Sequence, residues 1–279
     1  MLERTVAARE AGLDALFVGD HHVTPIAYFQ NAPILGRLLA EWGDRTAGAL
    51  FLLPLWNPVL VAEQIATLAA IAEGPFVMQC AIGDGPGQFA GMGADMRRRV
   101  RDFESGLDII RRLLAGESVT AETPYPIQDA VVRPVPPSPV QVWIGADAEN
   151  GIGRAARLGD AWYAGPSLTP DEAKAKLAYY LERCSIEGRR PAYLPIRRDV
   201  HVADSAADAE RIRAASAGYR GMQASALVIG TPDEVAAEFR SLAALGFTEV
   251  VIRQLAEDHE DALASYRGLA EVHAAVADA

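Results

Sequence analysis

The chain has 279 residues, of which 50% are hydrophobic and 23% charged, and its formal net charge is −11. This composition is typical of a folded globular protein, and the acidic surface argues against nucleic acid or an anionic membrane as a partner. The N-terminus lacks a basic segment followed by an apolar one, and no run approaches 18 apolar residues. We therefore expect a cytoplasmic protein whose partner is a small molecule.

A helical segment, a glycine and a short β-rich run follow one another five times along the chain. Glycine is favoured where a helix ends because it adopts a left-handed backbone without steric cost. The first three of these glycines are spaced 31 residues apart. The five are Gly12, Gly43, Gly74, Gly159 and Gly246.

Strands and helices alternate throughout, with seven strands predicted near residues 15, 48, 77, 141, 161, 197 and 250. Such alternation requires parallel pairing, and a repeat of about 31 residues is one eighth of a typical barrel of about 250 residues. We predict one domain over residues 1–279, an α/β fold of the TIM-type (β/α)8 barrel class, with a doubly wound sheet as the alternative. The chain opens with a helix where a barrel has its first strand, so we expect that strand to be missing and its two neighbours to be edge strands.

Polar residues that directly follow the predicted strands form the candidate site, because active sites of parallel barrels lie at the carboxyl ends of the strands. Histidine can exchange a proton near neutral pH, which makes the Asp20-His21-His22 segment a candidate for acid and base chemistry. Since adjacent residues of an extended chain point to opposite sides, we expect the two histidines to have different surroundings. The other strand ends are Leu52 to Pro58, Gly83-Asp84-Gly85, Gly145-Ala146-Asp147 and Gly165-Pro166-Ser167.

Segments at these strand ends also suggest three other kinds of site, for a metal ion, a dinucleotide or a phosphate. Asp-His-His also occurs in phosphoesterases with two metal ions, so a metal-dependent hydrolase is one alternative, although no second carboxylate-rich cluster accompanies it and we predict no metal. The stretches Gly85–Ala90 and Gly151–Ala156 match the dinucleotide pattern G-x-G-x-x-A but lie in unsuitable positions, so we interpret them as glycine-rich turns. Backbone amides after the Gly145 strand end could hold a phosphate.

Several segments, read in order, resemble the luciferase-like monooxygenase superfamily, which includes deazaflavin-dependent reductases and dehydrogenases. The resemblance covers essentially the whole chain except the family's first strand. It implies a (β/α) barrel, coenzyme F420 or FMN as cofactor, and a homodimer. The segments are AREAGLDALFVGDHH, NPVLVAEQIATLAAI, QCAIGDGPGQFAGMG, PSPVQVWIGA, GRAARLGDAW and VIGTPDEVAAEFRSLAALGFTEVVIR.

The resemblance also implies roles for residues around the cofactor ring. His21 matches a histidine that lies against the ring in deazaflavin-dependent sugar dehydrogenases, and His22 replaces an aromatic residue there. Phe51 falls where the family often has a strand bulge with a cis peptide that supports the ring. The acidic glutamate of the sugar dehydrogenases aligns with Gly85, so the neighbouring Asp84 is the candidate substitute, with Gly83 as a further cofactor contact.

For the phosphate of the cofactor, the resemblance points to the backbone of Gly145, Ala146, Asp147 and Gly165. The resulting hypothesis is an oxidoreductase that transfers hydride between the cofactor and a small organic substrate. A non-catalytic flavin-binding barrel is the alternative from another class of function.

Overall fold

The computed structural model describes residues 1–277, which divide into two compact units. One unit comprises Ala15–Val142, and the other comprises Met1–Asp14 together with the chain from Trp143 onward. Strands and helices alternate in both units, and the strands predicted from the sequence pair in parallel. The α/β class predicted from the sequence is therefore confirmed.

The helices and strands have the following bounds. None of the helices in residues 1–277 is long and apolar enough to cross a membrane. The helices are α1 (Leu2–Glu10), α2 (Asn31–Trp42), α3 (Pro58–Ile71), α4 (Pro86–Gly91), α5 (Arg99–Leu114), α6 (Glu149–Leu158), α7 (Pro170–Ile186), α8 (Ala206–Ala215), α9 (Pro232–Leu245) and α10 (His259–Ala277). The strands are β1 (Ala15–Val18), β2 (Thr46–Leu52), β3 (Phe76–Ala81), β4 (Val119–Ala121), β5 (Ile127–Ala130), β6 (Gln141–Gly145), β7 (Ala161–Tyr163), β8 (Pro195–Val202), β9 (Leu227–Gly230) and β10 (Glu249–Gln254).

All seven predicted strands occur, and the structure adds three that the sequence pattern did not predict. Two of these, β4 and β5, form a short antiparallel hairpin in which only Val119 is buried, so they lack an apolar signal. The third, β9, pairs with β8 and runs directly into the start of α9. The Gly85–Ala90 stretch, interpreted as a turn, instead overlaps the short helix α4, which begins at Pro86. A proline is well suited to a first helical position because its fixed φ is already helical.

The glycines that end helices do so for two different physical reasons. Gly12, Gly43 and Gly246 have φ values of +84°, +80° and +111°, in the left-handed region that favours glycine. Gly74 does not, and a Cβ there would collide with the backbone oxygen of Asp44. The repeated glycines therefore mark helix ends, but close backbone approach explains part of the pattern.

The unit that contains both ends of the described chain is held together by a core around β8. Strand β8 lies between β10 and β9, and α1 packs against α10. Within residues 1–277, β1 and β10 are each an end strand of their own sheet. The buried cluster joins Ala11, Val200, Val202, Val228, Val235, Ala236, Leu269 and Val272.

A charged network attaches α8 to the strand and helix beneath it. His201 of β8 is buried, and its Nε2 lies 2.9 Å from Asp208 Oδ2. Arg211 donates to Asp208 Oδ1 at 2.6 Å and to Asp261 Oδ2 of α10 at 2.9 Å. Burial raises the pKa of Asp208, but hydrogen bonds from His201 and Arg211 outweigh this effect and leave the pKa below its ordinary value.

We expect Asp208→Asn to lower the free energy of unfolding by about 1 kcal/mol at neutral pH, because a charged acceptor for two donors is lost. A lowered pKa stabilises the fold above the ordinary carboxyl pKa, and this contribution is lost as pH falls through the lower value. The difference between the variant and the wild type should therefore shrink below about pH 4. Urea unfolding at a series of pH values measures it, with the exposed Glu210→Gln on the same helix as control. A difference that persists undiminished at pH 3 would contradict the role of this charge.

Candidate functional site

The buried carboxylate of Asp20 connects the ends of two neighbouring strands. Its Oδ2 accepts hydrogen bonds from the backbone N–H of Leu52 and from Trp56 Nε1, both at 2.8 Å. Asp20 follows β1, Leu52 ends β2, and Trp56 follows a short helical turn after β2. One side chain therefore fixes the direction in which the chain leaves both strands.

His22 is held inside the same cluster. Its ring is buried, with Nε2 3.0 Å from Asp20 Oδ1, although these atoms are not aligned for a hydrogen bond. The ring lies edge-on to Trp56 at 5.1 Å between centroids. Its backbone N–H donates to Gln88 Oε1 of α4 at 3.0 Å. His22 is thus fixed by its contacts on three sides.

His21 has different surroundings from its neighbour, as the alternation of side chains predicts. It is partly exposed, and its ring lies 5.7 Å from the ring of Tyr28, tilted by 59°. Only one of the two histidines is therefore enclosed by the Asp20 cluster. The catalytic role of His21 and the cofactor contact of His22 remain predictions.

Phe51 lies on β2 with its side chain completely buried, at 5.6 Å from Trp56 and edge-on to it. The bulge with a cis peptide that the resemblance implies is not present. The peptide bonds at Phe51 are trans, and the pairing of β2 with β3 runs without a break from Ala47 to Leu52. The backbone becomes irregular only after Leu52, whose N–H donates to Asp20. There Leu53–Leu55 form a short helical turn.

The loop after β3 contains the two other residues predicted in this unit. Gly83 has a φ of +68°, and a Cβ there would lie 3.2 Å from the ring of Phe89, so the turn into α4 requires glycine. Asp84 is exposed. Within the described residues, no hydrogen bond or ion pair joins Asp84 to the Asp20 cluster, so its catalytic role stays a prediction.

The other unit contains the predicted phosphate turn after β6. Trp162 Nε1 donates to the carbonyl oxygen of Ala146 at 2.8 Å, and Lys176 Nζ donates to that of Asp147 at 2.7 Å. In a planar trans peptide the C=O and N–H groups point in opposite directions. The N–H groups of Asp147 and Ala148 are therefore directed away from these two donors, just before α6 begins.

Gly165 follows the next strand, β7, and lies against this turn. A Cβ at Gly165 would collide with Oδ1 of Asp147, so the carboxylate packs directly against the glycine. The structure thus brings the Asp147 side chain and Gly165 together, and the phosphate site predicted for these residues stays a prediction.

Several contacts of these clusters carry no signal in the sequence. Gln88 acts across 66 residues and Lys176 across 29, each through a single hydrogen bond to the backbone. Tyr28 lies in a loop of mixed composition. Trp56 alone falls in a predicted strand-end segment, but its contact with Asp20 depends on the turn that follows β2.

A metal-dependent hydrolase would require several His, Cys, Asp or Glu side chains around one ion. In residues 1–277, no group of three or more His, Cys, Asp or Glu side chains is placed to hold a metal ion. Both oxygens of Asp20 are already engaged by Leu52, Trp56 and His22.

Comparison with known sequences gives a consistent set of relatives. A family model described as luciferase-like monooxygenase matches residues 1–221. The F420-dependent glucose-6-phosphate dehydrogenase of Kribbella flavida is 29% identical over 174 residues, which are 59% of this chain and 52% of that protein. Limonene 1,2-monooxygenase of Rhodococcus erythropolis is 31% identical over 137 residues, 47% of this chain and 34% of that protein. The chain thus matches about half the length, or less, of these curated relatives.

Solved structures show which fold the chain has. An F420-dependent secondary alcohol dehydrogenase, in complex with an F420-acetone adduct, has a TM-score of 0.84 at 17% identity, covering 99% of this chain and 94% of that one. EDTA monooxygenase from Chelativorans sp. BNC1 has a TM-score of 0.82 at 16% identity, covering 98% and 85%. The chain shares the fold of these enzymes, which confirms the fold class predicted from the sequence.

We expect Asp20→Ala to lower the free energy of unfolding by about 2 to 4 kcal/mol, because it leaves the Leu52 N–H and the Trp56 indole N–H without an acceptor. Asp20→Asn is the matched control, since its amide oxygen can accept both hydrogen bonds from the place of Oδ2, and it should cost clearly less. Urea unfolding followed by circular dichroism measures both variants. Equal losses would mean that the charge of Asp20, rather than its capacity as an acceptor, stabilises the cluster.

Proposed function

Because the chain belongs to the luciferase-like monooxygenase family, we propose that it is an oxidoreductase that transfers hydride between a flavin or deazaflavin and a small organic substrate. The names of the relatives support the reaction class, since one is a dehydrogenase and the other a monooxygenase. FMN and coenzyme F420 are the two candidate cofactors. A homodimer is the proposed assembly.

The aromatic residues at the ends of β1 and β2 fit a flat ring. His21 and Trp56 are partly exposed, so each presents a ring face or edge on which a planar ligand can stack. Phe51 and His22 are buried and pack edge-on against Trp56, so they support it from behind. When bound, the cofactor supplies the ring atom that gives or takes hydride, and the chain supplies orientation and proton transfer.

The turn after β6 fits a phosphate in part. The N–H groups of Asp147 and Ala148, the start of α6 and the ammonium group of Lys176 are all favourable to an anion. The carboxylate of Asp147 disfavours an anion, because its negative charge lies against Gly165, beside these groups. We infer that the backbone of this turn, with Gly145, Ala146 and Gly165, holds the phosphate and that the Asp147 side chain weakens the interaction.

The contrast between the two histidines is the observation that carries the proposal. A purely structural pair would have both rings buried among partners, whereas only His22 is enclosed by Asp20 and Trp56. His21 is partly exposed at the end of β1, where a proton can be exchanged with a ligand. His21 is therefore the proposed proton donor or acceptor, His22 a supporting contact of the cofactor, and exposed Asp84 a second candidate acid, next to Gly83.

We expect His21→Ala to lower the rate of hydride transfer by about 10²- to 10⁴-fold, the usual contribution of general acid or base catalysis. Cofactor affinity should change much less, because the other ring contacts remain. Single-turnover kinetics across pH, with any substrate that the wild type converts, measures the effect. His22→Ala is the companion variant. If it carries the rate loss while His21→Ala behaves as wild type, the roles of the two histidines are reversed.

We expect Gly165→Val to weaken FMN and F420 binding at least tenfold, because the added side chain displaces Asp147 and distorts the turn. Asp147→Asn should strengthen binding, since it removes a negative charge, and Lys176→Met should weaken it. Riboflavin, which lacks the phosphate, is the matched ligand whose affinity should not follow these changes. Fluorescence titration compares the ligands for each variant. FMN affinities that are equal in all three variants and the wild type would refute the phosphate assignment.

A further inference from the structure

The loop that follows the two histidines carries large apolar side chains on the protein surface. Val23, Ile26 and Phe29 are 59%, 68% and 65% exposed, and Tyr28 is exposed as well. Contiguous exposed apolar surface in a soluble protein generally marks a place where something binds. The loop from Val23 to Phe29 is called the apolar loop below.

The apolar loop is attached to the candidate site at both of its ends. The ring of Tyr28 contacts His21, and its hydroxyl lies over Gly19, where a Cβ would be 2.5 Å away. At the other end, the methyl groups of Val23 lie over Gly91 of α4, where a Cβ would be 2.6 Å away. Both glycines therefore allow the loop to lie closely on the strand end and on α4.

The backbone at Val23 reinforces this position. Val23 has a φ of +51°, which is rare for a β-branched residue. The preceding residue, His22, is anchored by its N–H to Gln88 and by its ring to the Asp20 cluster. Strained backbone of this kind persists where surrounding contacts fix it and is concentrated at functional sites.

The charged residues near the apolar loop indicate which class of ligand this surface binds. The segments 21–31 and 82–94 contain one charged residue between them, the acidic Asp84. The next cations along the chain, Arg97 and Arg98, are paired with Asp95. A phosphorylated or carboxylated substrate is bound best by Arg or Lys side chains, and these two segments contain neither. The surface instead matches an uncharged apolar molecule.

We propose, on the premise of the proposed function, that the apolar loop determines specificity and that the substrate is an uncharged apolar organic molecule. Ile26 and Phe29 contact the substrate, and exposed Met92, directly after α4, extends the same surface. Tyr28 places the loop beside His21. Transfer of apolar surface from water onto the loop supplies the binding free energy, and truncating either side chain should cost about tenfold in affinity.

The test uses the full chain saturated with its cofactor and the uncharged fluorophore N-phenyl-1-naphthylamine as probe. We expect Ile26→Ser and Phe29→Ser each to weaken probe binding about tenfold. The matched control is Ile71→Ser, because Ile71 is 53% exposed at the end of α3, on the side where the following strand β3 begins. Limonene should displace the probe from the wild type, and glucose 6-phosphate should not.

Three results would overturn the inference: loop variants that bind the probe as the wild type does, displacement by glucose 6-phosphate, or failure of limonene to compete. A lower molar mass of the loop variants in light scattering, with unchanged probe affinity, would instead assign the loop to contact with a second copy of the chain. Cofactor affinity, measured on the same samples, separates the two proposals. If the probe test fails while cofactor affinity is unchanged, only the proposed substrate class is contradicted. If the cofactor does not bind at all, the proposed function itself is contradicted.

Discussion

The carboxylate of Asp20 is the interaction on which the arrangement of the candidate site depends. One oxygen accepts hydrogen bonds from Leu52 and Trp56, and the other lies against His22. Two strand ends, one aromatic side chain and one histidine are thereby fixed by a single buried side chain. Unpaired buried donors are costly, so the cluster tolerates little change at this position. Its consequence is that His22 is confined, whereas His21 is partly exposed.

The sequence predicted the periodic features of the fold and of the site. Apolar runs located all seven main strands, and the alternation of side chains predicted different surroundings for His21 and His22. Features that depend on tertiary contacts were not predictable. Strand β9 is defined by its pairing with β8. The hydrogen bonds of Gln88 and Lys176 likewise link residues far apart in the chain. The resemblance implied a strand bulge at Phe51. This expectation was wrong, because the pairing of β2 with β3 is regular there.

The two units offer different chemistry, each at the carboxyl ends of its own strands. In the unit of Ala15–Val142, aromatic and apolar side chains predominate around His21. In the other unit, the turn after β6 offers backbone N–H groups beside Lys176.

The most direct test of this account is an anaerobic titration of the unaltered protein with FMN and with coenzyme F420, each oxidised and reduced, followed by absorbance. The account predicts saturable binding of at least one of the two, with a spectral change that reports transfer of the ring out of water. If neither binds while circular dichroism shows a folded protein, the assignment of this chain as a flavin- or deazaflavin-dependent oxidoreductase is contradicted.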